Sequence, residues 1–194
     1  MTFKGHLLFS LANIILAKKI PLSLALAQGD WWHAVIGSLL TCLLPDIDHP
    51  RSILGYNLRW LSLLVTKIFG HRGFTHSLLA ITMGIFFLTF LNLYKSIDIP
   101  LDVLHAMIVG YTSHIIADML TPAGVPLLWP YRYRFRIPIL RANKNNRLER
   151  VTCVGLLIFS LQFHETISIS FHMEIFDTMK IIWKQCCLNF LSFF

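Results

Sequence analysis

Apolar residues along the chain fall into blocks, and the blocks set the expected elements. Ser77 to Tyr94 is a run of eighteen uncharged residues, near the roughly 20 a helix needs to cross the hydrocarbon core. Val103 to Leu120 is a second run, interrupted by one formal charge, Asp118. A lone acid at membrane depth points to function. Leu7 to Ala17 and Ala34 to Leu44 are runs of eleven, and Val151 to Phe163 is one of thirteen. Each is short for an unaided span; it either crosses with help from flanks such as Trp31 and Trp32, or re-enters. The tail from Ile175 to Phe194 mixes apolar residues with Lys180 and Lys184, and either spans weakly or lies in the interface. Past Asp118, the stretch Thr121-Pro122-Ala123-Gly124-Val125-Pro126 and then Trp129-Pro130 cannot sustain helix. The pattern predicts an all-α fold, a multi-pass helical membrane bundle of about four to six segments. Residues 1–150 form its membrane-embedded, motif-bearing part, and 151–194 are C-terminal hydrophobic helical segments.

Composition agrees. Of 194 residues, 55% are hydrophobic and only 14% charged, against about 25% charged in a typical soluble domain. The mean hydropathy is +0.62. The expected surroundings are a lipid bilayer. Cys42, Cys153, Cys186 and Cys187 contain no C-x-x-C pair, so neither a disulfide framework nor a thiolate zinc site follows. Lys4 and the first apolar run resemble a signal peptide with Ala25-Leu26-Ala27 as its cleavage site, but Lys18 and Lys19 interrupt the stretch before it.

The net charge of +7 is unevenly placed. Arg51, Arg59, Lys67 and Arg72 precede the first long run; Arg132, Arg134, Arg136, Arg141, Lys144, Arg147 and Arg150 follow the second. The turn between the runs holds Lys95, Asp98 and Asp102. Both basic loops therefore fall on one side of a helical hairpin, the cytoplasmic side by the positive-inside rule. The same charges can contact anionic headgroups. No nucleic-acid motif accompanies them, and no nucleic-acid partner is expected.

Four motifs carry candidate chemistry: Gly5-His6, then Pro45-Asp46-Ile47-Asp48-His49-Pro50, then His71-Arg72-Gly73-Phe74-Thr75-His76-Ser77, then His114-Ile115-Ile116-Ala117-Asp118. His114 and Asp118, four apart, share a helix face. The Asp46–His49 group sits between prolines at a helix exit, and His71 and His76 flank a turn. Each alone has a bland reading: a core histidine, a buried pair, an Asx turn, a capped helix start with Thr75 or Ser77 at the cap. Together they converge at one depth on the cytoplasmic side if the first two runs go out and back. His33 and His105 then fall at the opposite ends and are excluded. Imidazole nitrogen with carboxylate oxygen suits zinc or manganese, or iron. Eight groups (His6, Asp46, Asp48, His49, His71, His76, His114 and Asp118) exceed the ligand number of one zinc, so some orient ligands or the site holds more than one ion. The chemistry expected is hydrolysis at phosphorus or carbonyl, with a spare aspartate, Asp48, as general base and Arg72 clamping a phosphate oxygen. The rivals are an ion transporter and a structural metal protein.

The segments Gly5-His6-Leu7-Leu8, Gln28-Gly29-Asp30-Trp31-Trp32, LLPDIDHP, FGHRGFTHSLLA and GYTSHIIADMLTPAGVPLLWP, in that order over residues 1–150, resemble the YdjM family of bacterial inner-membrane proteins. That resemblance implies an inner-membrane location and a metal-dependent hydrolase, with His6, Asp46, Asp48, His49, His71, His76, His114 and Asp118 at its metal site; the substrate expected from the cluster, with Arg72 at headgroup level, is a phosphoester or phospholipid.

Overall fold

The computed structural model describes residues 1–20, 22–94, 98–140 and 147–163. The tail read as a weak span, together with Lys95, Arg141, Lys144, Cys186 and Cys187, lies outside these. The described residues are helical, with one isolated antiparallel bridge between Val125 and Phe135. The helices are α1 (Phe3–Lys19), α2 (Leu24–Gln28), α3 (Trp31–Thr41), α4 (Ile53–Asn57), α5 (Arg59–Phe69), α6 (Leu78–Leu93), α7 (Leu101–Met119) and α8 (Arg147–Gln162). Two 3-10 turns, Pro45–Asp48 and Phe74–His76, coincide with two of the motifs.

Side-chain caps start most of these helices. Thr2, Ser23, Asp30, Ser52 and Ser77 each accept a hydrogen bond from a backbone N–H in the first turn that follows, satisfying donors the helix itself leaves free. Of the two caps offered for α6, the structure uses Ser77, and Thr75 is left free for other work.

The bundle is organised on α7, which packs against α1, α2 and α3. Its contact with α3 depends on Gly110, where an added Cβ would collide with the Ser38 carbonyl oxygen. Ile14, Ala17, Leu26, Ala34 and Ala106 form the core there. Helix α1 also packs against α8, and Phe9 of α1, Ala117 of α7 and Cys153 of α8 form a second core cluster. Helix α8 begins before residue 150 and so crosses the expected boundary between the two parts of the chain. Its buried Glu149 accepts hydrogen bonds from the Thr2 N–H at 2.8 Å and the Thr2 hydroxyl at 2.6 Å.

The all-α expectation holds. Among the described residues, however, no helix is long and apolar enough to cross a membrane. The 16 residues of α6 rise about 24 Å, against a hydrocarbon core of about 30 Å. The 19 residues of α7 carry Asp102, His105, His114 and Asp118. Helix α6 is nevertheless apolar on every side and buries no residue: Met83, Phe86, Phe87 and Leu93 are each more than half exposed. Trp32, Leu40, Trp60, Val151 and Leu161 extend the exposed apolar surface to α3, α5 and α8.

Candidate metal centre

His6 comes from α1, Asp46 and Asp48 from the first 3-10 turn, His76 from the second, and His114 and Asp118 from one face of α7. Their convergence follows from packing: α1 and α3 lie on α7, and the turn that leaves α3 delivers Asp46 and Asp48 to the His114 end. His6, Asp48, His76, His114 and Asp118 are all buried.

Two trios have ligand atoms within 4.8 Å of one another: His6, His114 and Asp118, and Asp46, His76 and His114. The His6 and His114 rings stack with centroids 3.8 Å apart and planes 7° from parallel. His6 Nε2 lies 3.4 Å from Asp118 Oδ1, His76 Nε2 lies 3.6 Å from Asp118 Oδ2, and His114 Nε2 lies 3.7 Å from Asp46 Oδ1.

Chemistry fixes the tautomers. His114 Nδ1 is 2.6 Å from the Cys42 carbonyl oxygen; a carbonyl only accepts, so Nδ1 carries the proton and Nε2 keeps its lone pair. His76 Nδ1 is 3.2 Å from Asp48 Oδ2, and the same reasoning leaves its Nε2 lone pair free. Both Nε2 atoms, with His6 Nδ1 and Asp118 Oδ2, are buried without a hydrogen-bond partner among the described residues. Buried polar atoms without hydrogen-bond partners are costly unless a ligand joins them. A lone pair on each Nε2, with the other ring nitrogen tied to a carbonyl or carboxylate, is the arrangement metal-ligating histidines adopt. The donor set therefore fits a divalent ion.

Asp48 is surrounded by donors. Its Oδ2 accepts from the Arg72 N–H and the Thr75 hydroxyl, both at 2.7 Å, and from His76; its Oδ1 accepts from His71 Nδ1 at 3.1 Å. Burial alone would raise this carboxyl, but the bonds from His71, His76 and Thr75 together hold it well below the usual carboxylate range. His49 shifts down, by burial first and then by the neighbouring His71. Its ring lies 4.7 Å from that of His71. Neither His49 nor His71 joins a trio; both line a cleft of about 330 Å³ beside the centre, with His6, Asp46, Arg51 and Arg72.

Arg72 joins the two carboxylates. It is the non-glycine residue with positive φ among those described, at 54°, a conformation a long side chain adopts at a cost. The reward is a backbone N–H on Asp48 and a guanidinium nitrogen 2.9 Å from Asp118 Oδ2. That contact is an ion pair without hydrogen-bond alignment, so the Asp118 oxygen keeps its acceptor capacity. The amino group of Met1 lies 2.9 Å from Asp118 Oδ1.

The matching family model is the one described as YdjM inner membrane protein, and it covers residues 1–176. The chain belongs to the YdjM family. It is 50% identical over 185 residues to Inner membrane protein YdjM of Escherichia coli (strain K12), covering 93% of this chain and 94% of that protein. The protein of the same name in Shigella flexneri matches equally. The uncharacterized protein YvsG of Bacillus subtilis (strain 168) is 36% identical over 122 residues, covering 62% of this chain and 71% of its own. No solved structure matches. The family name supports an inner-membrane location for this chain.

His33 and His105 pair elsewhere, at the opposite end of α7: His33 with Asp102 at 2.9 Å and His105 with the Ser23 hydroxyl at 2.9 Å. Three contributors went unread in the sequence. Thr75 was visible inside its motif, but only as a cap. Tyr111, whose hydroxyl donates to the Thr75 carbonyl at 2.5 Å, stands just before the His114 motif, in a run read as apolar. The Cys42 carbonyl leaves no mark in sequence, because every residue carries one.

Proposed function

We propose that the protein is a membrane-bound metal-dependent hydrolase of phosphoesters, a phospholipid among the substrates it can take, with its centre facing the cytoplasm. The observation that carries this reading is the set of buried ring nitrogens without hydrogen-bond partners on His6, His76 and His114, with the Asp118 carboxylate beside them. Asp46 supplies a further oxygen, partly open to the cleft. Both trios use His114 Nε2, and one imidazole nitrogen with one lone pair binds one ion. The reading is therefore of a single shared ion, zinc or manganese, which when bound supplies Lewis acidity and an activated water.

The chain's own residues divide the remaining work. Asp48, offered by the sequence as general base, has both oxygens occupied by donors, so its role is to orient His76. Asp46, less buried and facing the cleft, is the better acceptor for a proton from water. Arg72 lines the cleft and keeps a buried guanidinium nitrogen without a hydrogen-bond partner, available to neutralise a phosphate oxygen. His49 and His71 stand at the cleft wall, where substrate passes. The bare apolar faces of α3, α5, α6 and α8 support immersion in lipid, and the basic loops favour a cytoplasmic orientation.

Elemental analysis of detergent-purified protein tests this first: about one zinc or manganese per chain is expected. Loaded protein should then hydrolyse a member of a phosphoester panel, and His76→Ala should abolish turnover. Undiminished activity in His76→Ala, or a metal-free active protein, would refute the reading.

A further inference from the structure

The segment Tyr131-Arg132-Tyr133-Arg134-Phe135-Arg136 alternates aromatic and cationic residues. A period of two sorts side chains of an extended backbone onto opposite sides. The backbone is pinned there: the Val125 N–H donates to the Phe135 carbonyl at 3.1 Å, and the Phe135 N–H returns a bond of 2.9 Å. On one side the Tyr133 and Phe135 rings meet edge to face at 5.1 Å. On the other, Arg132 and Arg134 line a cleft of about 470 Å³, shared with Lys67 of α5 and with His71 and Arg72. Trp129 and Phe69, whose rings are 5.7 Å apart, supply its apolar wall.

No carboxylate lines this cleft. Among the described residues, Lys67, Arg132 and Arg134 take part in no ion pair; Arg134 donates to the Ala123 carbonyl at 3.2 Å, which leaves its charge uncompensated. Like charges drawn to one cavity repel, and an anion seated among them relieves that repulsion. A topology signal asks only that basic residues lie on the loop. It does not ask residues from three separate segments to share a cavity.

We infer that this cleft is an anion subsite that seats a second, non-reacting phosphate of the substrate. His71 and Arg72 line both this cleft and the one at the centre. A ligand spanning both carries its scissile phosphoester at the centre and a further phosphate among Lys67, Arg132 and Arg134. The substrate class is then a diphosphate or a phosphorylated phosphoester, presented by a lipid headgroup or free in solution. The substrate half of this inference rests on the hydrolase reading; the anion site does not.

The test is calorimetric titration of the full chain in detergent with inorganic pyrophosphate, with chelator present. Wild type should bind pyrophosphate more tightly than inorganic phosphate. A Lys67→Gln, Arg132→Gln, Arg134→Gln triple variant should bind it at least about tenfold more weakly, the loss of one or more charge-assisted contacts. Metal content measured without chelator should be unchanged in the triple variant. Arg134→Gln alone, at an exposed position, gives a smaller loss in the same direction and guards against misfolding of the triple variant. Competition distinguishes the sources: displacement by nanodiscs of phosphatidylcholine containing phosphatidylglycerol phosphate identifies a lipid, and displacement by a soluble nucleoside diphosphate alone identifies a free ligand. Equal pyrophosphate binding by wild type and variants, or none by wild type, overturns the inference. Pyrophosphate binding in a protein that takes up no metal would instead remove the hydrolase reading and leave the anion site standing.

Discussion

Replacing Asp48 by asparagine changes one charge and almost no volume, so its effect isolates what the carboxylate does for His76. Three donors converge on Oδ2 (the Arg72 N–H, the Thr75 hydroxyl and His76 Nδ1) and His71 approaches Oδ1. The asparagine carbonyl can take the three, leaving its amide toward His71, which is half exposed and can change tautomer. Each of the three bonds then falls from charge-assisted to neutral, a loss of about 1 kcal/mol apiece. Removing a buried charge returns part of that. The net expected destabilisation is about 2 kcal/mol, a fall in Tm of roughly 4–8 °C for a chain of this length. The larger effect falls on the ion. An imidazole backed by a neutral amide is a poorer ligand, and losing such a partner costs roughly 10–100-fold in metal affinity. Thermal unfolding followed by tryptophan fluorescence reads the first quantity, and zinc titration into chelator-treated protein the second. An asparagine variant with wild-type Tm and wild-type zinc affinity would refute the claim that Asp48 orients His76.

Acid should act through the same group. Its folded carboxyl lies below the unfolded value of about 3.9, so its stabilisation is complete above about pH 4 and fades as pH falls toward the folded value; Asp48→Asn should flatten the acid limb of a Tm-against-pH curve. Gly110→Val forces a side chain into the Ser38 carbonyl and should cost about 2 kcal/mol or more by parting α3 from α7, measured as a fall in Tm together with weaker zinc binding. Glu149→Ala removes the acceptor of the exposed Thr2 N–H and hydroxyl and should cost about 1 kcal/mol, with faster amide exchange at the start of α1. His33→Ala, at the far end of α7, should leave metal content unchanged by elemental analysis.

The motifs were legible because each packs several titratable groups into a few residues, and a helix period or a proline bracket suggests how they face. His114 and Asp118 share a face as their spacing requires, and the PDIDHP and HRGFTHS segments fold as the short turns their Pro and Gly predict. The division of labour was not legible. Whether a histidine binds metal or leans on a carboxylate depends on which neighbour reaches its other nitrogen, and for His114 that neighbour is a backbone carbonyl far away in sequence. The donors to Asp48, on which its proposed positioning role rests, come from a loop that only the fold brings over it. Helix boundaries moved too: α1 and α8 extend through lysine, arginine and glutamate at their ends, because Thr2 and Glu149 tie those ends together. Apolar runs mark where lipid or core is suitable surroundings; they do not fix helix length.

The candidate ligand set reaches from His6 on the first helix to Asp118 at the end of the seventh. Any ion held there is also a reversible cross-link that closes most of the chain into a loop. The entropy of closing such a loop depends only weakly on its length, so the stabilisation is set by affinity and supply: about 2.7 kcal/mol when free ion is at a hundred times its dissociation constant. Starved of metal, α1 would be held to α7 by packing, by the stacking of His6 on His114 and by Asp118's contacts with Met1 and His6. Metal supply would then govern how much of this protein survives proteolysis, and a chelator would lower its abundance before any change in its synthesis.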